Sequence, residues 1–96
     1  MIRQQPIELL APARNLECGI AAVDHGADAV YIGAARFGAR SSAGNSVEDI
    51  ARLTEYAHMY GVKVYVTANI FVKDEELVET ERLIWELYRA GVDALI

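Results

Sequence analysis

The chain has 96 residues, 53% hydrophobic and 24% charged, which suits one small packed domain and excludes a disordered segment. Nine Lys and Arg against 14 Asp and Glu leave a net charge of −5, so no global basic field draws nucleic acid or an anionic membrane to it. No apolar run approaches ~18 residues and "MIRQQPIELL" lacks a signal peptide's apolar core, so a cytoplasmic protein with no membrane partner is expected.

The first predicted element is a strand, "IELLAPA" (7–13). It is followed by a helix over "NLECGIAAVDH" (15–25), with Asn15 as N-cap and Leu16, Ile20 and Val23 on one face. The turn between them, "APARN", holds no glycine, which argues against the G-x-G-x-x-G turn of a dinucleotide-binding sheet. The helix carries Cys18, expected to be half-buried and inert; one cysteine makes neither an internal disulfide nor, by itself, a zinc site.

A second strand is expected at "AVYIG" (29–33) and a second helix at "SVEDIARLTEYAHMY" (46–60). That helix starts at Ser46 and turns Val47, Ile50, Leu53, Ala57 and Tyr60 inward. A third strand follows at "KVYVTAN" (63–69), then a helix over "DEELVETERLIWELYRA" (74–90) capped by Asp74, with Glu75 and Glu76 in its first turn. Its inward residues are expected to be Leu77, Ile84, Leu87 and Tyr88, widened by Trp85.

A short motif recurs through this order. "GADAVYI" (26–32), "GVKVYVT" (61–67) and "GVDALI" (91–96) each pair a helix-stopping glycine with an apolar strand. Period and alternation are those of a βα unit, and the unbroken apolar strands read as parallel strands covered on both faces. The fold class is therefore α/β, a partial TIM-barrel-like (β/α) repeat. Residues 1–96 are expected to be the N-terminal part of a barrel domain, ending inside a fourth strand. A sheet so cut exposes its edges, and a homo-oligomer of the fragment is expected.

In such folds ligands bind beyond the carboxyl ends of the strands. The informative segment there is "AARFGARSSAGN" (34–45), about twice the usual length of a βα connection. It carries Arg36, Arg40 and Asn45 and leads into a helix N-terminus, which favours anions. With Arg14 on the neighbouring loop, three guanidinium groups either converge on a carboxylate or phosphate, or pair with acids such as Glu8 and Glu17 at the rim. Asn69 follows the third strand. His25 and His58 fall at helix C-termini, the opposite end, and read as structural, so no serine or cysteine is served by a histidine. Tyr31 and Tyr65 read as core residues with a polar tip.

The stretches "ELLAPARNLECGIAAVDHGADAVYIG", "FGAR", "AGNSVEDI", "YAHMYGVKVYVTAN" and "LIWELYRAGVDALI" together resemble the start of the peptidase U32 family, the collagenase-like proteases. Within it, "PAR", "FGAR" and the Asn after the third strand are similar to the subgroup of large-subunit ribosomal RNA hydroxylation proteins. The resemblance covers residues 8–96 and implies a TIM-barrel-like domain. It leaves open a peptidase, an RNA hydroxylation protein dependent on an iron–sulfur cluster, and a non-catalytic anion-binding module. It implies a peptide, RNA or small anionic substrate bound through the parent protein. The cluster's cysteines would lie in a later region, so this chain is expected to hold no cofactor and no metal. Arg36, Arg40 and Asn69, with Arg14 close behind, are implied to line the barrel mouth; no catalytic residue is assigned.

Overall fold

The computed structural model describes residues 8–35, 44–68 and 77–96. The elements run β1 (Leu10–Ala13), α1 (Leu16–Asp24), β2 (Ala29–Gly33), α2 (Val47–Met59), β3 (Lys63–Thr67), α3 (Leu77–Ala90) and β4 (Ala94–Leu95). The four strands form one sheet in chain order, and every pairing is parallel. A doubly wound sheet reverses its strand order at a switch point. These strands do not, and α1 packs on α2 and α2 on α3, which places the helices side by side in one layer. The α/β class and the alternating order are those expected.

The helices begin and end where their local chemistry dictates. Asn15 Oδ1 accepts the Cys18 N–H at 2.8 Å, and Ser46 Oγ accepts the Asp49 N–H at 3.1 Å, so both expected caps are formed. At the other ends the repeat does one job three times. Gly26, Gly61 and Gly91 take positive φ (93°, 72° and 87°), the left-handed conformation that closes a helix. The residue after each glycine then donates its N–H back into the helix: Ala27 to Ala22, Val62 to Ala57, Val92 to Leu87.

The repeat also shows how the strands are offset. Gly26 and Gly61 are 35 positions apart, yet Ala29 pairs with Lys63, 34 positions on. Gly61 and Gly91 are 30 apart, yet Tyr65 pairs with Ala94, 29 positions on. In these two pairings each strand is thus offset by one residue relative to the repeat.

The core lies between sheet and helices. Val30, Ile32, Val64 and Val66 point toward the helices and meet Ile50, Leu53 and Leu87, all fully buried. Each such side chain contributes roughly 1.5–3 kcal/mol by leaving water. Gly19 sets the spacing of α1 and α2: a Cβ there would fall 2.6 Å from a Leu53 methyl. Glycine costs a helix interior about 1 kcal/mol, and here the close approach of the two helices offsets it.

Three expectations differ from what is found. The strands are not covered on both faces among the described residues: Leu10, Pro12 and Lys63 are exposed, and Tyr31, Gly33, Tyr65 and Thr67 half-buried. On α3 the inward face is Leu83 and Leu87, while Ile84 (38%) and Tyr88 (72%) are exposed, with Leu77 and Trp85. A stripe this broad fixes no single direction; packing on α2 and on the core around Leu83 and Leu87 sets it. Tyr60 (62% exposed) sits beyond the last turn of α2, where its ring leans on Tyr56 at 5.2 Å instead of entering the core. Asp74, Glu75 and Glu76 lie outside the described residues.

Candidate functional site

The carboxyl ends of the strands are tied together by residues 44–46. Asn45 forms a parallel bridge with Ala34, donates its N–H to Gly33 O (2.8 Å) and accepts from the Ala35 N–H (2.8 Å). Its side-chain Nδ2 donates to Arg14 O at 3.1 Å and to Gly33 O at 3.0 Å, so one amide joins the end of β1 to the end of β2. Gly44 makes this approach feasible. Its φ is +94°, and a Cβ there would meet the Ala35 backbone at 2.6 Å.

Below this rim lies the face of the sheet turned away from the helices. Register places Pro12, Tyr31, Tyr65 and Ala94 in one row across it, with Gly33 beside Thr67 in the row above. The Asn45 bonds set Arg14 beside Gly33 on the other side. Tyr31 and Tyr65 are half-buried, and the Tyr65 hydroxyl lies 3.4 Å from Glu8 Oε1. Gly33, lacking a side chain, leaves a notch above Tyr31 between Arg14 and Thr67.

At the opposite end of the strands, two aspartates of the repeat serve the backbone. Asp28 Oδ2 accepts the Leu9 N–H at 2.8 Å, and Asp93 Oδ2 accepts the Val64 N–H at 2.7 Å. His58 Nε2 lies 2.8 Å from the same oxygen of Asp93. Partial burial pushes the Asp93 carboxyl up, but the bond from His58, the Val64 N–H and the nearby His58 and Lys63 charges outweigh it, and its pKa falls below the usual aspartate value. His25 Nδ1 is 2.7 Å from Ala21 O. The Tyr56 hydroxyl donates to Asp24 at 2.5 Å; that bond, then desolvation and Tyr60, raise its pKa well above the ordinary tyrosine value.

Of the residues singled out from sequence, Arg14 and Asn45 meet at the rim through the Asn45 amide and the Arg14 carbonyl. Arg36, Arg40 and Asn69 lie outside the described residues. The first turn of α2 already carries Glu48 and Asp49 against its positive end. Cys18, expected half-buried, is exposed on α1. Sequence reasoning put Thr67 at the carboxyl end of β3 but did not single out Gly33, because only the strand register shows that the two stand together above the tyrosines. Concavities in the described structure also occur on the helix side, one of about 570 Å³ along α3 lined by Val78, Arg82, Trp85 and Arg89. No group of three or more His, Cys, Asp or Glu able to hold a metal occurs among the described residues, and no described helix is long and apolar enough to cross a membrane.

The family model for Peptidase family U32 matches residues 14–96. The chain is 54% identical over 90 residues to the 23S rRNA 5-hydroxycytidine synthase of Escherichia coli, covering 94% of this chain and 14% of that protein. It is 46% identical over 97 residues to tRNA hydroxylation protein P1 of Bacillus subtilis, covering 100% of this chain and 23% of the relative. It is 32% identical over 91 residues to a collagenase of Porphyromonas gingivalis, covering 93% and 22%. The chain thus spans less than a quarter of the length of these relatives. No solved structure gives a significant match.

Proposed function

Because the chain belongs to peptidase family U32, we propose that it forms part of the barrel wall of an RNA hydroxylation protein rather than of a peptidase. The observation that carries this is the identity of 54% and 46% to two proteins named for RNA hydroxylation, above the 38% to one named an uncharacterized protease and the 32% to one named collagenase.

The residues agree with that reading. Peptide hydrolysis needs an activated nucleophile or a metal-bound water with a base beside it. Ser46 is spent capping α2, and His58 is held by Asp93 at the far end of the strands. A strand of five residues separates the two ends by ~16 Å, whereas proton transfer needs roughly 3 Å.

In this reading the chain's share is to bind and orient RNA at the carboxyl ends of its strands. Arg14 supplies positive charge for phosphates, as guanidinium groups do, and the sequence adds Arg36 and Arg40 in the connection after β2 and Asn69 in the one after β3. Asn45 holds the rim in shape through its two carbonyl partners. An iron–sulfur cluster is held by several cysteine thiolates. A chain whose one cysteine stands exposed on α1 does not fit that group.

The test is to offer the full-length protein single-stranded RNA on one hand and denatured collagen or casein on the other. Retention of RNA on a filter, weakening with salt, and intact protein substrates are expected. Protein cleavage abolished by a single substitution in this chain would contradict the reading.

A further inference from the structure

We propose that the notch above Tyr31 is a nucleobase subsite, in which one base of a single-stranded RNA stacks on the Tyr31 ring between Arg14 and Thr67. The inference rests on the RNA reading above and narrows it to named residues.

The argument starts from the missing side chain. In a strand, residues two apart share a face, so residue 33 stands directly above Tyr31, about 6.6 Å nearer the carboxyl end. A larger side chain at 33 would project from the row above the ring, where a built Cβ meets only Thr67 Oγ1 within 4 Å. Glycine leaves it open, and the φ of Gly33 lies outside the positive range, so the backbone there does not itself demand glycine. A Cβ built at Gly33 comes 3.4 Å from Thr67 Oγ1, which places that hydroxyl at the wall of the gap. On the other side stands Arg14, exposed, its backbone fixed by Asn45.

The resulting parts suit a base. An aromatic ring on a sheet face offers a stacking platform that every base can use, and Tyr31 stands half-buried on that face. The Thr67 hydroxyl both donates and accepts, matching the mixed edge of a pyrimidine. A cation at the lip suits the phosphate that follows the base. Tyr65, paired with Tyr31 in register, extends the platform sideways.

The test uses the full-length protein and a single-stranded RNA carrying 5-iodouridine, irradiated and mapped by mass spectrometry. Cross-linking to the peptide that contains Tyr31 is expected. Tyr31→Ala should weaken RNA binding about tenfold, within the range of base–aromatic stacking. Gly33→Val should remove the cross-link while leaving the thermal unfolding midpoint and circular dichroism close to wild type; if it unfolds, Gly33→Ala, whose Cβ has room, serves instead. Cross-links that map only elsewhere, or binding unchanged in Gly33→Val and Tyr31→Ala, would overturn the subsite. Nucleoside analysis of a deletion strain separates the two claims. RNA hydroxylation lost in the deletion but no cross-link at Tyr31 defeats the subsite alone. A cross-link at Tyr31 with unaltered nucleosides supports the subsite and defeats the hydroxylation reading.

Discussion

The Asp93 carboxylate holds His58 and the backbone of Val64 through one oxygen: Oδ2 lies 2.8 Å from His58 Nε2 and accepts the Val64 N–H at 2.7 Å. This residue ties the C-terminal turn of α2 to the start of β3 and the approach to β4. Asp28 makes the matching bond to Leu9 two units earlier, and the copy between them carries Lys63 at that position. The recurring aspartate of the repeat is a strand clamp.

Asp93→Asn should therefore destabilise the protein by about 1–2 kcal/mol at neutral pH, the range for a bond to a charged group at a partly exposed site. The pH dependence follows from the lowered pKa. The folded carboxyl titrates below its unfolded value, so its contribution is fully present above the ordinary aspartate range and is lost as pH falls through the lowered folded value. Chemical unfolding at neutral pH and then down the acid limb should show the gap between wild type and Asp93→Asn closing in that window. A gap that stayed constant into acid would mean that the charge of Asp93 contributes nothing.

Two glycines with nearly the same backbone should respond unequally to alanine. Gly26 (φ +93°) has nothing within 4 Å of a built Cβ, so Gly26→Ala costs only backbone strain, about 1–2 kcal/mol. Gly44 (φ +94°) would drive its Cβ into the Ala35 backbone at 2.6 Å. Gly44→Ala should cost about 2 kcal/mol more than Gly26→Ala, because backbone cannot yield as a side chain does. Denaturant midpoints of the two variants measure the difference directly.

The repeat and its helix stops were legible in the sequence, because a glycine between an amphipathic stretch and an apolar run has few other uses. So were the caps Asn15 and Ser46. Three things were not fully so. The one-residue offset of the strand pairing is invisible in a motif that aligns glycine with glycine. The inner face of α3 was read in part: Leu87 turns inward as expected and Leu83 joins it, whereas Leu77, Ile84 and Tyr88 are exposed, because packing on the core rather than the apolar stripe chooses among them. At the rim, sequence picked Asn45 and Arg14 as ligand-binding residues but could not show the bonds from the Asn45 amide to the carbonyls of Arg14 and Gly33, which depend on the register of β1 and β2.

That placement gives a third prediction. Asn45→Ala removes both bonds and should cost about 1–2 kcal/mol in stability. It should also weaken RNA binding more than its stability loss explains, because β1 and β2 are then no longer held together where Arg14 meets the ligand. Arg14→Ala should instead leave stability unchanged and lower the salt dependence of RNA binding by about one ion. Filter binding over a range of salt concentrations, set beside unfolding curves, separates the two effects.

The measurement that bears most directly on the central claim is nucleoside mass spectrometry of ribosomal and transfer RNA from a strain lacking the gene. The account predicts that a hydroxylated pyrimidine present in the parent strain disappears and returns when the full-length gene is restored. Identical nucleoside profiles in the deleted and parent strains, together with loss of a peptide-cleaving activity, would contradict it.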